Sequence, residues 1–190
     1  MLSISAATGD GVDYWLETLF ASLEAGTRIA EVDYDIYAEG EAILGWLNAV
    51  VSLCQKFGQG KWKELCEKIM AELGKAFQEA HTDSGHVKII ITNGDNFLMS
   101  NLASTAAMPV LHGKLPTDVT DAVMITNARV EMGPQRLEDI VRAALEKACA
   151  LFAVEATVAG LKSFSPGRPQ PTWRYDSVFP KNGRMSKRTS

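Results

Sequence analysis

Two one-sided helical stripes, each set between runs rich in β-branched residues, constrain the fold of this chain more than any other feature. Between Lys61 and Ala80, Trp62, Leu65, Cys66, Ile69, Met70, Leu73, Ala76 and Phe77 recur at three- and four-residue intervals, the spacing of a single helix face. Behind Pro134, which suits a first helical turn, Leu137, Ile140, Val141, Ala144, Leu145, Ala148, Leu151 and Phe152 repeat the pattern. A helix with one apolar face needs a sheet or another helix to cover it. The intervening runs supply strands: Glu41 to Leu53, Val87 to Thr92, Ala122 to Val130 and Ala156 to Ser163. Asn93-Gly94-Asp95-Asn96 is a turn signal, and Phe97 to Leu102 reads as a short added strand. The predicted order is β-α-β-β-α-β, an α+β arrangement of ferredoxin-like type with two helices on one face of an antiparallel sheet.

The segments outside this core differ in character. Leu2 to Ser5 reads as the end of a strand, followed by a small-residue loop and a helix on which Val12, Trp15, Leu16, Leu19, Phe20 and Leu23 share a face. Asp10 is the expected N-cap, Asp13 suits the helix dipole, and Gly26 stops the helix. Residues 27–40 carry no clear period and read as a linker. Beyond Ser163 the chain is proline-rich, and its last ten residues hold four cations without an acid, so 165–190 reads as a tail. The expected organisation is therefore 1–26, a linker at 27–40, an α+β domain at 41–164, and the tail.

Charge and composition exclude several functions. A formal net charge of -4 disfavours a dedicated nucleic-acid partner. No apolar run reaches the roughly 18–20 residues of a membrane span, and the N-terminal residues do not resemble a signal peptide. Three widely spaced cysteines, Cys54, Cys66 and Cys149, read as reduced thiols, which places the expected location in the cytoplasm.

Ser5-Ala6-Ala7-Thr8-Gly9-Asp10-Gly11, at an expected strand-to-helix junction, resembles the base-capping loop of GTPases, whose family form is S-A-K-T-G-E-G. Small residues there let a backbone N–H approach the guanine carbonyl. The resemblance makes Ser5, Ala6 and Ala7 the residues lining the base, with the usual lysine replaced by Ala7. Further stretches, Val32 to Glu39, Leu44 to Asn48, Asn127 to Glu131 and Pro166 to Thr172, look like the C-terminal region of the cobalamin-biosynthesis CobW-type GTP-binding proteins. The likeness runs from Ser3 to about Arg174. It implies a C-terminal accessory portion of a metallochaperone GTPase whose parent family uses GTP with Mg²⁺ and handles zinc or cobalt. Residues 1–26 would then be the last strand, loop and helix of a GTPase domain.

The chemistry of GTP hydrolysis is not encoded here. The sequence contains no G-x-x-x-x-G-K-[ST] loop to cradle phosphates, no N-K-x-D guanine motif and no cysteine-rich metal motif. GTP hydrolysis belongs to the parent family, and this chain by itself is expected to be neither an autonomous GTPase nor in need of a cofactor. Expected partners are a GTPase half or a second copy through the 12–23 helix, and a metalloprotein or cofactor-enzyme target.

The residues left over carry weaker readings. Asn127, Arg129 and Glu131 alternate and share one strand face, either a ligand face or an ordinary solvated one. Arg168 and Arg174 could contact an anion, or belong to an exposed tail. His81, His86 and His112, with Cys54 and Cys66, could hold a metal, but their spacing matches no compact motif, and surface histidines are the plainer reading. The competing assignment is a stand-alone ferredoxin-like module binding a small ligand or a metal.

Overall fold

A computed structural model describes residues 2–6, 8–21, 33–102, 109–168 and 170, with the Glu39 side chain excepted. The chain falls into two units, Met1–Asp33 with Gln170–Ser190, and Tyr34–Pro169.

In the first unit, helix α1 spans Val12–Ala21 and none of its residues is buried. Leu2 to Ser5 do not form a strand: a strand persists by pairing, and among the described residues no strand pairs with them. The loop is instead closed on itself. Ser5 N–H donates to Asp10 O at 2.9 Å and Gly9 N–H to Ser5 O at 2.9 Å. Gly9 and Gly11 take positive φ, and a Cβ on Gly11 would sit 2.5 Å from Ser3 O. The Asp10 carboxylate accepts from the Thr8 hydroxyl at 2.6 Å, and Gly11, not Asp10, directly precedes the helix. Leu23, Gly26 and Ala7 lie outside the described residues.

The second unit begins with α2, Tyr34–Ala42, a helix where the sequence showed no clear period. Asp35 favours the first turn, but Ile36 and Tyr37 are exposed; a helix burying so little leaves little period in its sequence. Strand β1 therefore starts at Gly45 and runs to Gln55. It is followed by α3 (Trp62–Glu79), β2 (Ser84–Asn93), β3 (Asn96–Leu102), β4 (Val110–Lys114), β5 (Asp121–Val130), α4 (Pro134–Phe152) and β6 (Val154–Phe164). The strand β4 had no counterpart among the expected elements, because Val110-Leu111-His112-Gly113-Lys114 is too short and too exposed to alternate.

The fold is α+β, with one open six-stranded antiparallel sheet in the order β4-β3-β2-β5-β1-β6. On β5 every second residue from Ala122 to Val130 is buried, the alternation of a sheet with one covered face. Ala122, Met124, Ala128 and Val130 join the apolar stripes of α3 and α4 in a single core that includes Leu65, Ile69, Leu73, Phe77, Leu137, Val141 and Ala148. The helices thus cover one face, and on the other Asn48, Val50, Ile125 and Arg129 are exposed. At the far end of β1 the buried Gln55 amide donates to the carbonyls of Phe57 and Phe152, each at 2.9 Å. This satisfies one of the orphan carbonyls at the end of α4, which closes on Ala153 in the left-handed region.

Candidate functional site: the open sheet face

Because side chains alternate across a strand, the register determines which residues share the uncovered face. Trp46 lies opposite Arg129 on β5 and Phe164 on β6, and Asn48 lies opposite Asn127 and Lys162. Arg129 is also in register with His86 on β2, and Asn127 with Lys88. Next come Val50 opposite Ile125, Ser52 opposite Val123, and Cys54 opposite Asp121. One end of the face is therefore basic, polar and aromatic, its middle is apolar, and its other end is acidic.

The basic end is held by direct contacts. The Arg129 guanidinium lies 3.9 Å from the centre of the Trp46 ring, a cation–π stack, and Phe164 meets the same indole at 5.9 Å with a 52° tilt. Lys162 lies over the Phe164 ring at 5.3 Å. Asn127 donates through Nδ2 to Asn48 Oδ1 at 2.6 Å. The Trp46 indole N–H is buried without a hydrogen-bond partner among the described residues, an uncommon arrangement for a buried polar group.

Of the ligand-face residues expected from sequence, Asn127 and Arg129 stand on this exposed face. Glu131 lies one residue past the strand; its N–H donates to Asp83 O at 3.1 Å and its carbonyl accepts from the Thr82 hydroxyl. Arg168 forms an ion pair with Asp35 at 2.8 Å, so an internal carboxylate holds its guanidinium. Arg174 lies outside the described residues. His81 lies in the turn after α3 with φ 51°, His86 lies on β2 and His112 on β4. The zinc or cobalt expectation does not fit this donor set: among the described residues no group of three or more His, Cys, Asp or Glu could hold a metal ion. Cys66 is buried in the core while Cys54 is part-exposed on the opposite face, so the sheet itself separates the two thiols.

Sequence reasoning missed the acidic end. A surface pocket of about 510 Å³ lies there, lined by Cys54, Lys56, Asn93, Asp121, Glu155 and Thr157 among others. Only the register of four strands, β1, β2, β5 and β6, brings these residues together, and no local spacing announces it. Lys56 is ion-paired with Glu155. The Asp121 carboxylate beside Cys54, by hydrogen bond and then with partial burial, pushes that thiol's pKa upward. A thiol held protonated is a poor nucleophile. Comparison with family models, with curated proteins and with solved structures returned no match to this chain.

The thiols carry a prediction. Burial pushes Cys66 up to about 12 and Cys149 up to about 11 from an ordinary value of 9.0. Both stay protonated in the fold while the unfolded chain ionises them from about pH 9. Their contribution to stability is complete below that value and is lost as pH rises through about 11 to 12. At pH 8 a chromogenic disulfide should titrate Cys54 first, and slowly, with Cys66 and Cys149 reacting only after denaturation. Three equally fast thiols in the native chain would contradict the burial.

Proposed function

We propose that this chain is an accessory interaction portion of a CobW-like GTP-binding protein, with a ferredoxin-like sheet domain, and that it works by docking to partners and not by turning over GTP. The observation that carries this reading is α1: it follows the loop Ser5–Gly11, and Trp15, Leu19 and Phe20 are 39, 45 and 80 % exposed on it. An apolar helix face left open marks a contact surface, and by the resemblance its natural cover is the sheet of a GTPase half. The turn that brings Ser5, Gly9 and Asp10 together supports the base-capping reading of this loop. The order β2-β5-β1-β6 around the two long helices supports the ferredoxin-like reading, with β3 and β4 as an added hairpin. In this reading Mg²⁺ and the phosphates of GTP are bound by the partner half, and zinc or cobalt is that assembly's cargo. The stand-alone metal-binding alternative draws no support from the donor set described above.

Two measurements test the proposal. Calorimetric titration of the chain with GTP or GDP and Mg²⁺ is expected to give no binding heat; guanine-selective binding would replace the assignment. Affinity capture from the source cells is expected to retain a protein carrying a G-x-x-x-x-G-K-[ST] loop, and Phe20→Ser with Leu19→Ser should release it. Recovery of no such protein would count against the proposal.

A further inference from the structure

The uncovered sheet face has an apolar centre that solvent alone does not explain. Val50, Ile125 and Val123 are 40, 38 and 38 % exposed there, and Ile90 with Met99 continue the row of Ile125 across β2 and β3. A sheet face that meets only water is normally polar at these positions, and a contiguous apolar patch marks an interface.

Charge is segregated to the two ends of the same face. Arg129, Lys88 and Lys162 lie at one end; Asp121 and Glu155 lie at the other, where Lys56 offsets Glu155. Lys114 sits apart on the edge strand β4, and Glu131 lies beyond the end of β5. On β5, Arg129 and Asp121 stand four residues either side of Ile125, about 14 Å in each direction at the strand rise. We infer that this face is the two-fold interface of a homodimer, and that its occupant is a second copy of the chain.

The geometry follows from the charge pattern. A two-fold axis lying between two stacked sheets, and running across the strands at the level of Ile125, sets the basic end of each copy over the acidic end of the other. Arg129 meets the second copy's Asp121, and by symmetry the pair is made twice. The centre buries Val50 and Ile125 against their own counterparts. An axis along the strands would place like charges together, so the pattern selects one orientation. Five strands about 4.8 Å apart and about 27 Å long give roughly 600 Å² per copy, near the lower limit of a stable interface. This inference rests on the sheet of the second unit and the GTPase-partner proposal on α1 of the first, so the two are tested independently.

Sedimentation velocity on the full chain tests it, and a dimer is expected. Ile125→Asp, whose side chain points away from the core, should give a monomer with an unchanged circular dichroism spectrum. Arg129→Glu and Asp121→Arg should each raise the dimer dissociation constant roughly a hundredfold, by placing like charges together twice. An equimolar mixture of these two variants should regain the dimer, because both cross-copy pairs are then opposite in charge. Phe20→Ser on α1 should leave the dimer intact. A monomeric parent chain would overturn the proposal. So would a dimer that survives Ile125→Asp, or a mixture that stays monomeric. If Arg129→Glu unfolds through loss of its stack on Trp46, Ile125→Asp and Asp121→Arg decide the question alone.

Discussion

Replacing Trp62 by alanine is expected to lower the unfolding free energy by about 3–5 kcal/mol, the range for deleting a large buried aromatic. Trp62 is 1 % exposed at the start of α3, and its indole N–H donates to Val119 O at 3.0 Å. Beside it Gly60 N–H donates to Thr117 O at 2.7 Å. A Cβ on Gly60 would lie 2.2 Å from the indole nitrogen, so the ring occupies the space that glycine leaves. The residue thus ties the start of α3 to the loop between β4 and β5, and through that loop sets where β5 begins. Alanine would empty the site and orphan the Val119 carbonyl. Phenylalanine would keep most of the volume and lose the hydrogen bond, at a cost of about 1–2 kcal/mol. Urea denaturation of both variants separates the terms. Equal losses would make the hydrogen bond dominant, and a loss under about 1 kcal/mol for alanine would refute the packing role. Domains of this size hold about 5–15 kcal/mol, so the alanine variant should unfold at markedly lower denaturant.

A second large effect is expected where two backbones nearly touch. A Cβ built on Gly45 would lie 2.6 Å from Met132 O and 3.5 Å from Gly133 C, both main-chain atoms, and 3.5 Å from the Leu137 side chain, where β1 meets the start of α4. Gly45→Ala should cost about 2–3 kcal/mol, since β1 cannot retreat without breaking its ladder and the Met132 carbonyl is held between β5 and α4. Gly74 is the internal control. It stands in the interior of α3 with nothing within 4 Å of its Cβ position. Gly74→Ala should therefore stabilise the chain by about 0.5–1 kcal/mol through helix propensity. Thermal melts of the two variants moving in the same direction would show that the close approach at Gly45 is not what limits the substitution.

The particular elements show why some of this was legible in advance. The stripes of α3 and α4 bury a continuous face, so the 3.6-residue period is written directly into Leu65, Ile69 and Leu73 or Leu137, Val141 and Ala148. Strand β5 alternates without a break from Asp121 to Val130, and there too burial and sequence share one period. Helix α2 and strand β4 escaped because neither has a buried face: Ile36 and Tyr37 of α2 and Val110 of β4 are exposed, and the pattern that marks an element is the imprint of what covers it. Leu2 to Ser5 erred in the opposite direction, since a β-like composition makes no strand without a pairing neighbour.

Composition and periodicity by themselves determined the class of the chain: α+β, two one-sided helices over a sheet, a loop at Ser5–Gly11, and no phosphate-binding loop. They also placed Asn127 and Arg129 on a common strand face. Tertiary structure alone decided what that face is. Stacking Arg129 on Trp46, pairing Asn127 with Asn48, and bringing Cys54, Asp121 and Glu155 into one row each join residues tens of positions apart. Such contacts depend on strand order and register, which long-range packing selects and local sequence does not encode. The segregation of charge about Ile125 arises in the same way, from strands that meet only after the chain has folded.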